Sequence, residues 1–417
     1  MTGVRRRRCL PVEVAFVCVA LAGACSSSGH ASAGPAASTT LPVPALSASA
    51  NGYTVPASFA AAAPGTLIAA RDAPVQAQEL GADHAWQVLY HSTDLSDRDI
   101  AVSALVLLPR GTQPATGWPV IAWAHGTSGL ADQCAPSIAP GLAHDPTAVN
   151  EVRALLARGW AVVASDYPGL GTPGVHTYLV GEADARAVID SITAAHALLG
   201  ARVAASWLTV GHSEGGQTAL FVAQAASHRA PQWRFLGTVA LAPASTLDAL
   251  IPLAEATHGP VEQAYLIYAL EGLSTVDPHL DVASLLTPRA RSVLGDTTTG
   301  CIDDITNDLG RRHLDHLLAA DAATKTRLDA QLGRYDNPDH ARAPEPILIA
   351  QGTADEDVPS GATDGLVSRL CALGDRLEYR HYPGLDHGAV VAGSLSAVTD
   401  WIRARLAHTA PPTTCAT

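Results

Sequence analysis

The stretch Trp207-Leu208-Thr209-Val210-Gly211-His212-Ser213-Glu214-Gly215 decides the fold of this chain. An apolar run that predicts a strand enters a G-x-S-x-G turn, and a pattern that predicts a helix over 217–226 leaves it. Such a turn forces its central serine into a strained backbone conformation with an exposed hydroxyl, and the flanking glycines relieve the crowding. We call residues 211–215 the elbow. Ser213 is a candidate nucleophile; a turn serine without chemistry is the alternative.

Strand and helix patterns alternate on both sides of the elbow. Strands are predicted at 86–90, 101–108, 120–124, 161–165, 207–210, 237–242, 346–350 and 377–382, and helices at 148–158, 181–199, 217–226 and 395–406. Because each strand is nearly all apolar, the sheet should be mostly parallel, with helices on both faces. The sequence therefore predicts the α/β class.

The alternation stops once, between Ser245 and Ala343, where about 100 residues carry helix and loop patterns only. A stretch of that length is too long for a plain connection. We predict a helical cap over the carboxyl edge of the sheet at 245–343, inserted between two parts of one core, 61–244 and 344–417.

Charge and hydropathy argue against a nucleic-acid-binding protein and against a protein with a transmembrane helix. The 417 residues carry a formal net charge of −13, and Lys325 is the only lysine, so no basic surface for nucleic acid is expected. No segment has 18 uninterrupted apolar residues, and no transmembrane helix is predicted.

The N-terminal pattern predicts export. Four arginines at 5–8 precede an apolar stretch at 14–24, as in a signal peptide over 1–24. Leu21-Ala22-Gly23-Ala24-Cys25 resembles the lipobox of bacterial lipoproteins, in which the cysteine carries the lipid anchor, whereas Ala22-Gly23-Ala24 also fits cleavage for free secretion. Residues 25–60 are predicted to form a flexible tether.

Cysteine parity favours the lipid anchor. Without the signal peptide five cysteines remain, an odd number in an exported protein. Lipidation of Cys25 would leave four, which can form two disulfides. Cys371 and Cys415 bracket the last strand and helix, so their pairing is favoured and Cys134 is left with Cys301. Two other connectivities stay open.

An acid and a base follow the elbow in the order that a strand–turn–helix nucleophile requires. Asp355 lies on the loop after the strand at 346–350, and His387 on the loop after the last strand. Both loops leave the same edge of the sheet as the elbow, so Ser213, Asp355 and His387 can converge. Asp357 and Asp386 are alternative acids.

Two backbone N–H groups are candidates for an oxyanion hole, which must face the developing negative charge. One belongs to Glu214, directly after the nucleophile. The other belongs to Thr127 in the turn His125-Gly126-Thr127-Ser128-Gly129, which follows the strand at 120–124. We call residues 125–129 the oxyanion turn; Gly126 is the alternative donor.

Two further motifs are weak evidence for a dinucleotide site and for a metal site. Residues 169–174 spell G-x-G-x-x-G, but Pro173 and the loop up to residue 181 prevent this turn from opening a helix, as a dinucleotide site requires. His313 and His316 lack a third metal ligand. We predict neither a metal nor a cofactor.

Together these motifs resemble the secretory lipase family, the lipase A-like branch of the α/β-hydrolases. The resemblance spans about residues 65–415 and rests, beyond the elbow, on these stretches: Gly65-Thr66-Leu67-Ile68, Tyr90-His91-Ser92-Thr93-Asp94, Ala124-His125-Gly126-Thr127, Asp166-Tyr167-Pro168-Gly169-Leu170-Gly171, Gly352-Thr353-Ala354-Asp355 with Val358-Pro359, and Asp386-His387-Gly388. It implies an α/β-hydrolase fold, a cap with a lid, two disulfides, no metal, and hydrolysis of triacylglycerols or other esters. It also implies Ser213 as nucleophile, Asp355 as acid and His387 as base. Fungal members carry an acidic side chain near the oxyanion turn; the matching stretch here is His125-Gly126-Thr127, so a role for such a carboxylate does not transfer.

The sequence therefore predicts an exported serine hydrolase acting on a small-molecule ester or acylglycerol, with a membrane contact only through the lipid anchor. A peptidase or acyltransferase on the same triad, and a non-catalytic surface protein with a relic triad, are the alternatives. Apolar stretches at 265–270 and 285–286 are candidates for an acyl tunnel.

Overall fold

A nine-stranded sheet organises the chain. The structure, a computed structural model, describes residues 44–49, 52–56 and 60–415. The strands are β1 (Ala48–Ser49), β2 (Gly52–Tyr53), β3 (Leu67–Asp72), β4 (His84–Thr93), β5 (Asp99–Leu108), β6 (Trp118–Ala124), β7 (Ala161–Ser165), β8 (Val203–His212), β9 (Arg234–Leu241), β10 (Ile347–Gly352) and β11 (Leu377–Tyr382). The order in the large sheet is β11-β10-β9-β8-β6-β7-β5-β4-β3, and β1 and β2 form a separate antiparallel pair.

Helices follow most of the strands. They are α1 (Pro74–Leu80), α2 (Gly141–His144), α3 (Pro146–Ala157), α4 (Gly181–Leu199), α5 (Glu214–Arg229), α6 (Leu250–Thr257), α7 (Pro260–Ser274), α8 (Val282–Leu285), α9 (Pro288–Arg291), α10 (Leu294–Thr297), α11 (Ile302–Arg312), α12 (Ala322–Asp336), α13 (Ser360–Leu373) and α14 (Ala389–Leu406).

The predicted α/β-hydrolase fold is confirmed. Strands β7, β6, β8, β9, β10 and β11 run parallel, whereas β3, β4 and β5 are antiparallel to their neighbours. Helices α1, α3 and α14 cover one face, and α4, α5 and α13 cover the other. The two apolar layers bury the faces of the sheet, which is why its central strands, such as β6 and β7, are nearly all apolar.

The edge strand β3 and the helices α1 and α13 are among the elements that the sequence did not predict. The sequence of β3, Leu-Ile-Ala-Ala-Arg-Asp, has two alanines at its centre and no clear period of two. It becomes a strand because its backbone pairs with β4. Tertiary pairing of this kind overrides weak local preference.

The helical insertion lies between β9 and β10. Residues 242–346 are all described and form helices α6–α12 and no strand. Helix α7 is the centre of an apolar cluster of its own, in which Leu266, Ile267 and Leu270 are fully buried. The insertion thus has its own core.

The tether prediction is wrong for part of its range. The Leu46 N–H donates to the Ala70 carbonyl (3.1 Å), and the Tyr53 N–H donates to the Gly171 carbonyl (2.8 Å). Leu46 and Tyr53 are buried, so these stretches pack on the core because each brings one apolar side chain to it. The predicted signal peptide and Cys25 lie outside the described residues.

Both disulfides of the favoured pairing are present, Cys134–Cys301 and Cys371–Cys415. The first joins the core to the start of α11, and the second joins α13 to the C-terminal segment. Over the described residues, no helix has the length and hydropathy that a membrane span needs.

Candidate active site

Ser213 occupies the sharp turn between β8 and α5. Its backbone has φ 59° and ψ −121°, a conformation that a residue with a side chain rarely adopts. A Cβ on Gly215 would lie 2.0 Å from the Ala124 carbonyl oxygen, and one on Gly211 would lie 2.0 Å from the Gly215 carbonyl oxygen. Only glycine therefore fits at either position, and the strained turn holds Ser213 at the carboxyl end of the sheet.

Asp355 and His387 meet on neighbouring loops. Asp355 follows β10 and His387 follows β11, and the two strands pair in parallel. His387 Nδ1 lies 2.9 Å from Asp355 Oδ2. A carboxylate at Nδ1 fixes the imidazole tautomer and leaves Nε2 as an acceptor.

Three donors keep Asp355 ionised. Burial alone would raise its pKa, but hydrogen bonds from His387, from the Val358 N–H (2.8 Å) and from Gln351 Nε2 (2.9 Å) hold the pKa below its usual value. Gln351 is itself fixed by Thr363, whose hydroxyl donates to Gln351 Oε1 (2.7 Å). The role of Gln351 was not predicted from the sequence, because its place on β10 next to the acid carries no motif.

His212 ties the loop of His387 to the elbow. Its Nε2–H donates to the His387 carbonyl oxygen (2.9 Å), and the centroids of the two rings are 4.5 Å apart. Burial, helped by the nearby His387, lowers the pKa of His212 to about 3, so it stays neutral. The base is thereby held one hydrogen bond away from the residue that precedes Ser213. This role of the variable residue in the G-x-S-x-G turn was not predicted.

The two alternative acids lie elsewhere. Asp357 lines the cavity next to Ser213, and burial raises its pKa. Asp386 accepts a hydrogen bond from the Ala389 N–H (2.7 Å) at the start of α14. His387 Nδ1 is bonded to Asp355.

One candidate oxyanion donor lies in the elbow, and the other lies in the turn beside it. Glu214 is the first residue of α5, where backbone N–H groups have no partner within the helix and the helix dipole favours negative charge. Thr127 follows β6, and its hydroxyl lies 2.8 Å from that of Tyr178. A Cβ on Gly126 would lie 3.6 Å from the Cβ of Ser213, so the oxyanion turn passes directly beside the elbow.

A cavity of about 200 Å³ opens beside Ser213 between the core and the insertion. Most of its wall is apolar; the lining residues are Tyr178, Leu179, Ser213, Ala244, Ser245, Thr246, Leu247, Ala249, Leu250, Leu253, Tyr265, Asp357, Val358, Pro359 and Ala362. Of the stretches expected to form an acyl tunnel, only Tyr265 takes part. Residues 266–270 and 285–286 instead fill the core of the insertion.

No metal centre is formed by the described side chains. No three His, Cys, Asp or Glu among them are arranged to hold a metal ion. His313 ends α11 and His316 packs against His258, with ring centroids 5.9 Å apart.

The family follows from a comparison with known sequences. Residues 147–413 match the model of the secretory lipases, which is more than half of the chain. The chain belongs to the secretory lipase family. The match includes the elbow and the loops of Asp355 and His387, and the resemblance noted in the sequence is thus confirmed.

The chain is similar to known lipases in sequence and in fold. The chain is 25% identical over 382 residues to Lipase 10 of Candida albicans, covering 85% of this chain and 80% of the relative. It is 24% identical over 385 residues to a probable inactive lipase of Mycobacterium tuberculosis, covering 85% and 81%. Candida antarctica lipase A in its closed state has a similar fold, with a TM-score of 0.70, 19% identity, and coverage of 85% of this chain and 84% of that one.

Proposed function

We propose that the chain is an exported serine hydrolase that cleaves carboxylic esters, with lipid esters such as acylglycerols as substrates. Ser213 is the nucleophile, His387 the general base and Asp355 the acid that orients it. One observation carries the proposal: Asp355 is hydrogen-bonded to His387 on loops tied to the strained elbow of Ser213. Membership of the secretory lipase family supports the ester chemistry.

The reaction follows from this arrangement. Ser213 Oγ attacks the ester carbonyl carbon while His387 Nε2 takes its proton. The N–H groups of Glu214 and Thr127 hold the negative oxygen of the tetrahedral intermediate. The intermediate expels the alcohol, which takes the proton from His387, and water then cleaves the acyl-enzyme by the same steps.

The cavity supports an apolar acyl group. Leu179, Leu247, Leu250 and Leu253 contribute to a largely apolar wall next to Ser213. Burying methylene groups there gains about 0.8 kcal/mol for each CH₂. An acyl chain on this wall would place its ester carbonyl at the elbow.

The N-terminal pattern and the two disulfides support export. We assign a lipid anchor to Cys25, with free secretion after Ala24 as the alternative. Mass spectrometry of the mature N-terminus distinguishes a diacylglyceryl cysteine from an unmodified one.

Hydrolysis of a series of p-nitrophenyl esters of increasing acyl length tests the function. The wild type should hydrolyse them, with kcat/KM rising as the acyl chain fills the cavity. Ser213→Ala should lower turnover by roughly 10³-fold or more with an unchanged unfolding temperature. Unchanged hydrolysis in this variant would remove the assignment.

A second candidate, a non-catalytic protein, is favoured by the relative that is named as probably inactive. A fluorophosphonate probe distinguishes the two. An active site should be labelled at Ser213, and the label should be lost in Ser213→Ala. Absence of labelling in the folded wild type would favour the non-catalytic candidate.

A further inference from the structure

The side chain of Glu214 lies in a buried cluster behind the oxyanion turn. Its Oε1 is 3.2 Å from His176 Nε2, and both side chains are only 1% exposed. His125, the first residue of the oxyanion turn, is 2% exposed. The ring of Tyr167 stacks on His125 (4.1 Å between centroids) and on His176 (5.9 Å). The cluster thus joins the elbow, the oxyanion turn and the loop between β7 and α4.

The positions of the protons follow from the acceptors around the two imidazoles. His125 Nδ1 faces the Gly126 carbonyl oxygen (2.8 Å), and His176 Nδ1 faces the Pro168 carbonyl oxygen (3.3 Å). A carbonyl oxygen only accepts, so each Nδ1 carries the hydrogen. Burial lowers the pKa of both histidines, which keeps them neutral. Each Nε2 therefore presents a lone pair.

Glu214 must then supply the proton for its contact with His176. An ionised carboxylate would set a lone pair against the lone pair of His176 Nε2, whereas a protonated carboxyl donates to it. Within the part of the chain that the structure describes, Glu214 Oε2 and His125 Nε2 have no hydrogen-bond partner. Because both histidines are neutral, a charge on Glu214 would have no cationic partner and only the Thr127 hydroxyl to stabilise it.

Burial favours the neutral forms of Glu214 and of the groups around it. It raises the pKa of Glu214 to about 7, although the Thr127 hydroxyl, which favours the charged form, lowers it in part. Asp184 on α4 faces the cluster; burial raises its pKa well above the usual value, and its Oδ1 accepts the Thr177 hydroxyl (2.5 Å). Burial also raises the pKa of each tyrosine that faces the carboxyl, namely Tyr167, Tyr178 and Tyr265.

We propose that the protonated side chain of Glu214 is a positioning residue of the oxyanion hole. By donating to His176, whose ring stacks on Tyr167 and through it on His125, it holds the oxyanion turn beside the elbow, so that the N–H groups of Thr127 and Glu214 converge. This inference rests on the proposed function, because it concerns the same site.

Loss of the proton has two consequences for the reaction. The hydrogen bond to His176 is lost, which loosens the oxyanion turn. A negative charge also appears one side chain away from the developing oxyanion and opposes it in a buried, weakly screened site. Activity should therefore fall as the pH rises through about 7, the pKa of Glu214, while the protonated form is retained below it.

The test compares three variants in p-nitrophenyl butyrate hydrolysis between about pH 5 and about pH 9. Glu214→Gln replaces the donating carboxyl by an amide that donates at every pH. Glu214→Ala removes the donor. Glu151→Gln is the matched control, because Glu151 is equally buried, has a pKa of about 7 through burial, and accepts from Trp123 Nε1 (2.7 Å) on the far side of the sheet.

We expect kcat of the wild type to fall about tenfold above pH 7 with little change in KM. In Glu214→Gln this fall should disappear and kcat at low pH should drop less than about tenfold, whereas Glu214→Ala should lose about 100-fold in kcat. The control should keep the wild-type profile. An alkaline fall that persists in Glu214→Gln, or vanishes in Glu151→Gln, would overturn the proposal.

Infrared difference spectra of the wild type against Glu214→Gln provide a readout that does not need activity. A carbonyl band of the protonated Glu214 carboxyl should be present in this difference below pH 7, whereas the bands of Asp184 and Glu151 are common to both proteins and cancel. Its absence from the wild type would overturn the inference even if ester hydrolysis is observed. Conversely, a protein with this band but without Ser213-dependent hydrolysis would contradict the proposed function alone.

Discussion

At the scale of single residues, Asp355 is a buried carboxylate whose oxygens accept hydrogen bonds from His387, Val358 and Gln351. These donors favour the charged form over the neutral one, which burial would otherwise favour. At Asp357, two residues further along the loop, burial has the largest effect on the pKa and raises it. The pKa values of two carboxyl groups on one loop are thus shifted in opposite directions because their hydrogen-bond donors differ.

Asp355→Asn should therefore be far more damaging than Asp357→Asn. The amide would favour the wrong tautomer of His387, and we expect kcat to fall by roughly 10⁴-fold with little change in KM. Asp357→Asn should cost less than about tenfold, because His387 Nδ1 is bonded to Asp355. Steady-state kinetics on a p-nitrophenyl ester measures both. Equal losses in the two variants would assign the orienting role to Asp357 instead.

At the scale of elements, the elbow between β8 and α5 depends on close contact between the backbones of α5 and β6. Gly215 on the first turn of α5 packs against the carbonyl oxygens of Ala124 and His125 at the end of β6. The helix can therefore approach the sheet closely enough for Ser213 to stand at its carboxyl edge. A side chain at this position would push α5 away from β6.

Gly215→Ala should lower the free energy of unfolding by about 3 kcal/mol, because the new Cβ would lie 2.0 Å from the Ala124 carbonyl oxygen. Gly361→Ala in α13 is the matched control. A Cβ added to Gly361 would meet no atom of the described residues within 4 Å, so the change should be neutral or stabilising by less than about 1 kcal/mol. Urea unfolding measures both. A Gly215→Ala protein as stable as the control would show that the elbow does not depend on this close contact.

At the scale of the whole molecule, the insertion is fastened to the core near the proposed oxyanion hole. The Cys134–Cys301 disulfide joins segments 167 residues apart, and the Ile302 N–H donates to the Ser128 carbonyl (2.9 Å). Ser128 directly follows Thr127. The start of α11 therefore supports the oxyanion turn as well as the insertion.

Removal of the two disulfides should have different effects on activity. Replacing Cys134 and Cys301 by serine should cost about 2–5 kcal/mol and lower kcat several-fold, because the oxyanion turn loses its support. Replacing Cys371 and Cys415 should cost a similar amount of stability but leave kcat within about twofold, because this bridge fixes only the C-terminal segment. Thermal unfolding and ester kinetics check both. A larger loss of kcat in the second variant would contradict this view.

The sequence by itself determined the elements of the core. Apolar runs with the right period form the buried strands β6, β7 and β9, and the helical pattern at 181–199 matches α4 residue for residue. The chain order of Ser213, Asp355 and His387 was readable as well, because each follows a strand. Signals of this kind are local: they depend on a few neighbouring residues and on the alternation of buried faces.

Only the tertiary structure decided which distant side chains meet. It paired His387 with Asp355 and not with Asp357, bonded His212 to the loop of the base, and brought Glu214 into contact with His176 from a separate loop. It also made β3 a strand by pairing its backbone with β4. Such contacts depend on the paths of aperiodic loops and on burial by residues far apart in the chain. A local sequence pattern contains no information about the path of a loop or about burial by distant residues.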